Sequence, residues 1–243
     1  MGSSDFILVT GASRGLGLGI VCELLSAGWK VVGVARHNSA ELEAQIQCHA
    51  GCLFFEPFDL AKLSDIATFS TTVQRRYGRF YGLVNNAGIG LSGILATMHE
   101  KDVHAVLDLN LTAPALLCKY FSRGMLLNRS GRIVNISSII AGTGYSGLSV
   151  YAASKAGLIG LTKSLSRELG KAGITVNAVS PGYLETTMSS TLSETRLATI
   201  RRRSPSGRFP TIGEIAKAVG FLLSDSGSGI NGVNLVIDLG STA

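Results

Sequence analysis

Strand-like and helix-like segments alternate along almost the whole chain, and this alternation restricts the folds that the chain can adopt. The strand-like runs, such as 6–10 and 30–35, are apolar at most positions rather than at every second one. Such runs indicate strands that are buried on both faces. We predict an α/β fold in which helices cover both faces of a doubly wound parallel sheet of about seven strands.

The predicted elements cover the chain without a linker or an internal repeat. The predicted strands are 6–10, 30–35, 52–55, 82–85, 132–136, 175–179 and 233–237, and the predicted helices are 16–27, 40–47, 64–77, 101–127, 151–169 and 214–223. Pro114 is expected to disturb the long fourth helix locally. The stretch 183–210 has no evident role in the sheet, and long excursions of this kind are often lids. Residues 1–243 are therefore predicted to form one domain with a substrate lid at 183–210.

Composition argues against several classes of protein. With 46% hydrophobic and 16% charged residues, the chain can bury a core and is not disordered. Its net charge of +6 is not concentrated in one long basic tract, so we predict no nucleic-acid partner. The longest uncharged run, 133–154, contains Asn135 and several glycines, and we predict no membrane segment.

The four cysteines argue for a reducing compartment. Cys48 and Cys52 resemble half of a metal site, but no second pair follows at zinc-ligand spacing, so we predict no metal. The first predicted strand begins almost at once, which leaves no room for a signal peptide. We predict free thiols and a cytoplasmic location.

A glycine-rich loop joins the first strand to the first helix. It has the spacing G-x-x-x-G-x-G, and glycine lets a backbone approach a pyrophosphate closely while the helix N-terminus supplies free N–H groups. A plain strand-to-helix turn is the alternative. We predict a dinucleotide site whose residues here are Gly11, Ser13, Arg14, Gly15, Leu16 and Gly17.

The end of the second strand predicts which dinucleotide is bound. An acidic residue about 20 residues after the loop would bind a ribose 2′-hydroxyl, but this chain has Arg36 there. A guanidinium suits the oxygens of a 2′-phosphate, and Arg14 is a second partner. We predict NADP(H) rather than NAD(H).

Tyr151 and Lys155 are four residues apart on a predicted helix and share one of its faces. An unperturbed tyrosine has a pKa of about 10, and a nearby cation lowers that pKa. The pair therefore predicts a general acid that works near neutral pH. Taken alone the spacing is common by chance, and a solvated helix face is the simpler interpretation.

Further motifs follow in a fixed order. They are Asp59-Leu60 after the third strand, Asn85-Asn86-Ala87-Gly88 after the fourth, Asn110 in the long helix, Ser138 at 151 − 138 = 13 residues before Tyr151, and Pro181-Gly182 with Leu184 and Thr186 after the sixth. With the glycine loop and the Tyr151–Lys155 pair, they resemble the short-chain dehydrogenase/reductase family over essentially the whole length of the chain.

The resemblance implies a role for each of these residues. Asp59 and Leu60 would contact adenine, Asn86, Ala87 and Gly88 would line the cofactor, and Pro181, Gly182, Leu184 and Thr186 would close over the nicotinamide. For catalysis, Tyr151 would protonate a carbonyl, Lys155 would lower the Tyr151 pKa and bind the ribose, Ser138 would polarise the carbonyl, and Asn110 would hold a water in a proton path. Ser137 is the neighbouring hydroxyl, and spacing favours Ser138.

Within the family, segments 151–165 and 174–182 resemble the 3-oxoacyl-[acyl-carrier-protein] reductase branch. This implies a carrier-bound 3-oxoacyl substrate, docking of the acidic carrier at Arg129 and Lys171, and a homotetramer or homodimer. Leu239 stands where the family often has glycine, at a place where related enzymes pack subunits. A carbonyl reductase or alcohol dehydrogenase of specialised metabolism and a non-catalytic NADPH-binding subunit are the alternatives.

Overall fold

The computed structural model describes residues 5–185 and 194–243, and over these residues the predicted parallel sheet is confirmed. The strands are β1 (Phe6–Thr10), β2 (Lys30–Ala35), β3 (Leu53–Pro57), β4 (Phe80–Asn85), β5 (Gly131–Ile136), β6 (Ile174–Pro181) and β7 (Asn234–Ile237). They pair in the order β3-β2-β1-β4-β5-β6-β7, and every neighbouring pair is parallel. The order reverses between β1 and β4, and ligands of such sheets bind at the carboxyl edge beside that switch point.

Helices cover both faces of the sheet, as predicted. They are α1 (Gly15–Ser26), α2 (Ala40–Cys48), α3 (Ile66–Tyr77), α4 (Glu100–Leu107), α5 (Ala113–Asn128), the single turn α6 (Ile140–Thr143), α7 (Ser149–Leu169), α8 (Glu194–Arg203) and α9 (Ile212–Leu223). In the described parts of the chain, no helix combines the length and the apolar character needed to cross a membrane.

Two hydrophobic cores hold the layers together, one on each side of the sheet. Helices α3, α5 and α7 pack on one face, where the Phe121 ring meets Phe80 edge-on at 5.1 Å between centroids. Helices α1, α2 and α9 pack on the other face, around Ile20, Leu42 and Val219. Truncating a buried aromatic such as Phe121 to alanine removes about 3–5 kcal/mol of stability. The two cores fix the strand ends from which the site is built.

The helical stretch predicted at 101–127 is present, and its expected local disturbance is a wide turn at Asp108–Thr112 that joins α4 to α5. In this turn the Ala113 N–H donates to the Asp108 carbonyl, five residues back instead of four. Pro114 has no N–H for the next helical bond, so the expected disturbance falls just before it. Wide turns of this kind frequently mark functional sites, and this one carries the buried Asn110.

Candidate active site

The glycine loop is shaped so tightly that side chains are excluded from it. Gly11 has φ of +67° and Gly15 has φ of +56°, in the left-handed region that glycine adopts without strain. A Cβ on Gly17 would lie 2.0 Å from the Gly11 carbonyl oxygen, so only glycine fits at this position in the first turn of α1. No side chain of these glycines therefore covers the backbone where a pyrophosphate would meet the N-terminus of α1, as a dinucleotide site requires.

Thr10 fastens this loop to the end of β4. Its hydroxyl accepts hydrogen bonds from the backbone N–H groups of Asn86 and Ala87, at 2.9 Å and 3.0 Å. The Asn86 side-chain amide donates to the Thr10 carbonyl at 2.9 Å. The two cofactor segments predicted from sequence are thus one hydrogen-bonded unit, and a shift in either would move the other.

The start of α1 leaves both charge and hydrogen-bond donors available to an anion. Arg14 occupies the N-cap position without a side-chain cap, and its side chain is exposed. Arg36 is exposed directly after β2, beside the loop, because the Gly11 N–H donates to the Val34 carbonyl. Within residues 5–185 and 194–243, neither guanidinium has a hydrogen-bond or ion-pair partner. Both guanidinium groups are therefore available to bind a phosphate.

Asp59 and Leu60 follow β3 at the same edge of the sheet. One carboxylate oxygen of Asp59 accepts from the Ala61 N–H at 3.1 Å, which holds the turn. The Leu60 side chain is buried among the core residues of the α3 and α5 face, so it supports the Asp59 turn from the side of the core. Ser13 and Leu16 lie in the glycine loop and the first turn of α1, and Leu16 packs on the opposite core.

Gly88 brings the loop after β4 against the catalytic candidates. A Cβ on Gly88 would lie 3.0 Å from the Asn110 amide oxygen and 3.4 Å from the Lys155 ammonium nitrogen. The backbone here, and not a side chain, faces Lys155. A ribose placed over Gly88 would be within reach of that ammonium.

Asn110 acts as a brace between this loop and α7. Its amide oxygen accepts from the Ile89 N–H at 2.9 Å, and its amide nitrogen donates to the Ile89 carbonyl at 2.8 Å and to the Ser154 hydroxyl at 3.2 Å. All the hydrogen-bonding groups of this buried side chain are directed at protein atoms, which gives it a structural task beside the water-holding task that the resemblance implies.

Lys155 is buried at the start of α7 and held by the end of β5. Its side chain is 4% exposed, and its ammonium donates to the Ile136 carbonyl at 2.8 Å. The same ammonium lies 5.8 Å from the centre of the Tyr151 ring. Helical spacing therefore does bring the phenol and the ammonium together, although their closest link is through the ring and not through a hydrogen bond.

Burial shifts the pKa of both groups. Burial lowers the pKa of Lys155 to about 8. Burial raises the pKa of the Tyr151 phenol, and its hydrogen bond with the Ser138 hydroxyl opposes that rise. The predicted lowering of the Tyr151 pKa was wrong for this arrangement, because burial disfavours the charged phenolate.

The two adjacent serines after β5 have different partners. The Ser137 hydroxyl is buried and donates to the Lys155 carbonyl at 2.8 Å, so it holds α7 against the sheet. Ser138 is half-buried, accepts from the Ile140 N–H at 3.2 Å and bonds the Tyr151 phenol. Of the two serines, Ser138 is the one whose hydroxyl could donate, together with that of Tyr151, to the oxygen of a substrate carbonyl.

The end of β6 closes the site on its remaining side. The Ile139 N–H donates to the Pro181 carbonyl at 3.1 Å, so this segment lies directly beside Ser138. A Cβ on Gly182 would lie 2.9 Å from Asp238, and Leu184 packs on the core of the α1 face. Thr186 lies outside the described residues.

Sequence reasoning missed Thr10 and Ser154 as parts of the site. Thr10 stood inside the glycine motif, and its hydroxyl could have been tested against the neighbouring strand end. Ser154 lies between Tyr151 and Lys155, accepts from Asn110 and donates to the Tyr151 carbonyl at 2.7 Å. The bond between Asn110 and Ser154 joins residues 44 positions apart, so no local spacing reveals it.

A glycine loop suited to a dinucleotide, two hydroxyl groups and a buried lysine thus lie at one edge of the sheet. A family model described as "Enoyl-(Acyl carrier protein) reductase" matches residues 11–242. The 3-oxoacyl-[acyl-carrier-protein] reductases of Salmonella typhimurium and Escherichia coli are each 38% identical over 235 residues, covering 96% of this chain and 95% of the relative. The Pseudomonas aeruginosa enzyme of the same name is 38% identical over 239 residues. The chain belongs to the short-chain dehydrogenase/reductase family, as its motifs predicted.

No resident metal is indicated by the described residues. Within residues 5–185 and 194–243, no three His, Cys, Asp or Glu side chains lie close enough together to hold a metal ion. All four cysteines are free, and burial raises the pKa of the Cys118 thiol to about 12.

Proposed function

We propose that this protein is an NADPH-dependent reductase of 3-oxoacyl thioesters carried by acyl carrier protein. The observation that carries the proposal is the meeting of Ser138, Tyr151 and Lys155 beside the bare backbone of Gly88. The curated relatives named above are reductases of this substrate class over nearly the same length. The family model has an enoyl description, but two hydroxyls directed at one point suit a carbonyl oxygen better than a carbon–carbon double bond.

The chain's own residues explain how such a reduction would proceed. NADPH, held by the glycine loop with its 2′-phosphate at Arg14 and Arg36, supplies the hydride when bound. Ser138 and Tyr151 donate hydrogen bonds to the substrate carbonyl, which draws electron density toward its oxygen. Tyr151 then gives its proton to that oxygen, and its raised pKa keeps the phenol protonated until charge develops there.

Lys155 completes this proton path. Its ammonium is held between the Ile136 carbonyl and the segment at Gly88, where it can bind a ribose hydroxyl and stabilise the phenolate left on Tyr151. A pKa near 8 lets it exchange a proton near neutral pH. Asn110 keeps Gly88 and α7 at the required spacing, and it is also proposed to hold the water that carries protons from Lys155 to solvent.

The test is a pair of variants measured with acetoacetyl thioesters. Tyr151→Phe is expected to lower kcat by at least about 10³-fold while NADPH binding, followed by fluorescence, stays within about twofold. Tyr120→Phe, which removes a hydroxyl from a half-buried tyrosine of α5 outside the candidate site, is the matched control and should behave as wild type. Reduction by wild type with NADH as efficient as with NADPH, or near-normal turnover by Tyr151→Phe, contradicts the proposal.

Carrier docking at Arg129 and Lys171 also belongs to this proposal. The Arg129 guanidinium donates to the Lys171 carbonyl at 3.0 Å, and both side chains are exposed. However, both precede their strands, whereas Ser138 follows β5. Lys171 comes after the end of α7, and the 18 helical steps from Tyr151 to Leu169 span about 27 Å. A carrier docked there is therefore proposed to serve the active site of a second copy, in a homodimer or homotetramer.

We further propose that the whole chain works as one domain in the cytoplasm and that 183–210 acts as its substrate lid. Tyr183 and Phe209 support the lid assignment, because their rings meet at 4.6 Å between centroids and join the two ends of this segment. The free thiols agree with a reducing compartment.

A further inference from the structure

Helix α8 forms one wall of a basic cavity. The cavity has a volume of about 220 Å³ and is lined by Ala198, Arg201, Arg202 and Gly207. Arg201 and Arg202 lie three and four residues after Ala198, so both neighbour it on the surface of α8. The volume is several times the roughly 30 Å³ of one water molecule, so a hydrated phosphate group fits.

This cavity lies on the active-site side of the sheet. Tyr183 follows the end of β6 and contacts Phe209, and the Arg201 guanidinium lies 5.1 Å from the centre of the Phe209 ring. Arg201 also lies 3.6 Å from the Glu185 carboxylate. These contacts tie α8 to the strand end that borders Ser138.

Arg202 differs from the other basic residues nearby. Arg208 is neutralised by a bidentate pair with Glu214, at 2.9 Å and 2.7 Å. In the parts of the chain that the structure describes, the Arg202 guanidinium has no hydrogen-bond or ion-pair partner. Arginines in the last turn of a helix also offset the helix dipole, but that applies equally to Arg203, which does not line the cavity.

Resting on the proposed function, we propose that Arg202 binds the phosphate of a phosphopantetheine-linked thioester as the substrate enters. A guanidinium presents a planar fork of donors that matches two phosphate oxygens. Gly207, with φ of +64° and no side chain, leaves the opposite wall open to a bulky phosphodiester. The same phosphate is present on coenzyme A and on the acyl carrier protein, so the site would recognise what the two substrate forms share.

The experiment compares two substrates that differ by this phosphate alone, acetoacetyl-phosphopantetheine and acetoacetyl-pantetheine. Arg202→Gln is expected to raise KM for the phosphorylated thioester roughly tenfold, without changing kcat and without changing KM for the unphosphorylated one. Arg203→Gln removes the same charge from the same helix but lies off the cavity, and it should change neither KM by more than about twofold.

The outcomes separate this inference from the proposed function. Wild-type reduction of acetoacetyl-pantetheine supports the proposed function whatever Arg202 does. Equal effects of Arg202→Gln and Arg203→Gln, or an equal rise in KM for both thioesters, overturns the inference alone. The acetoacetyl forms of coenzyme A and of the carrier protein complete the test. A defect in both supports phosphate recognition, and a defect confined to the carrier-bound form overturns it in favour of contact with the carrier surface.

Discussion

Lys155 shows at the scale of one residue how catalysis and stability conflict. Its ammonium is almost fully buried and has one protein acceptor, the Ile136 carbonyl. Desolvation lowers its pKa from 10.5 to about 8, which means that the folded state holds the charged lysine at a cost. The proton path proposed for Lys155 requires a group that can change its charge near neutral pH, which a neutral side chain could not do.

This cost predicts the pH dependence of Lys155→Met. The folded protein releases the lysine proton near pH 8, while the unfolded chain keeps it to about pH 10.5, so between these values the unfolded state binds more protons and wild-type stability rises with pH. At pH 7 the inactive Lys155→Met variant should be more stable than wild type by up to about 3 kcal/mol.

Thermal melting from pH 7 to 10.5 checks this expectation. The stability advantage of Lys155→Met should shrink as the pH rises above 8. Lys163→Met replaces an exposed lysine of the same helix and should differ from wild type by a constant amount. An advantage of Lys155→Met that grows with pH would refute the argument.

Leu239 carries a different cost, in its backbone. Its φ of +57° lies in the left-handed region, which penalises a side chain by about 1–2 kcal/mol. Leu239→Gly should therefore raise Tm by about 2–4 °C, since about 1 kcal/mol shifts Tm by this amount in a chain of this size. Val236→Gly, a few residues earlier in β7, should lower Tm instead, because its backbone is extended and glycine weakens strands. A lower Tm for Leu239→Gly would show that its side-chain contacts outweigh the strain.

At the scale of elements, the wide turn at Asp108–Thr112 matters more than any regular helix. It places Asn110 where one side chain bonds both the Ile89 backbone and Ser154. Removing that side chain leaves the half-buried N–H and carbonyl of Ile89 without this partner, and each unsatisfied group costs up to about 1–3 kcal/mol.

Asn110→Ala is thus expected to destabilise the protein by about 2–4 kcal/mol and to weaken NADPH binding at least about tenfold, because Gly88 loses its brace. Urea unfolding and fluorescence titration with NADPH measure the two effects. Asn128→Ala, which removes a single exposed bond to the Gly124 carbonyl, should leave both nearly unchanged. Unaltered NADPH affinity in Asn110→Ala would show that the brace does not position the cofactor segment.

The elements also show what the sequence could predict. Strands β1 and β2 were found at their bounds because continuous apolar runs end at glycine or polar residues. Pro114 predicted a local disturbance between α4 and α5, but the type of turn was not predicted, since it depends on a bond between Ala113 and Asp108 that has no composition signal. The candidate site residues were predicted from ordered motifs, whereas the pKa direction of Tyr151 depends on burial, which spacing alone does not report.

At the scale of the whole molecule, the two edges of the sheet have different tasks. The carboxyl edge holds the glycine loop, Ser138 and the cavity beside α8. The opposite edge, where β5 and β6 begin, presents Arg129 and Lys171. A carrier held at that edge cannot reach Tyr151 of the same chain without spanning the length of α7. The proposed docking and the proposed chemistry therefore require two copies of the chain to cooperate.

Complementation between two variants that each fail with carrier-bound substrate tests that requirement. Arg129→Glu with Lys171→Glu removes docking but keeps the active site, and Tyr151→Phe removes the chemistry but keeps docking. Co-expressed mixed oligomers should reduce carrier-bound acetoacetyl thioester well above the sum of the separate variants, because an intact site on one copy is served by an intact surface on the other. With free acetoacetyl-pantetheine no such gain is expected, since the double variant alone is active. A mixture that shows no gain with the carrier-bound substrate, or a wild-type enzyme that is monomeric and fully active, would place docking and catalysis on one chain.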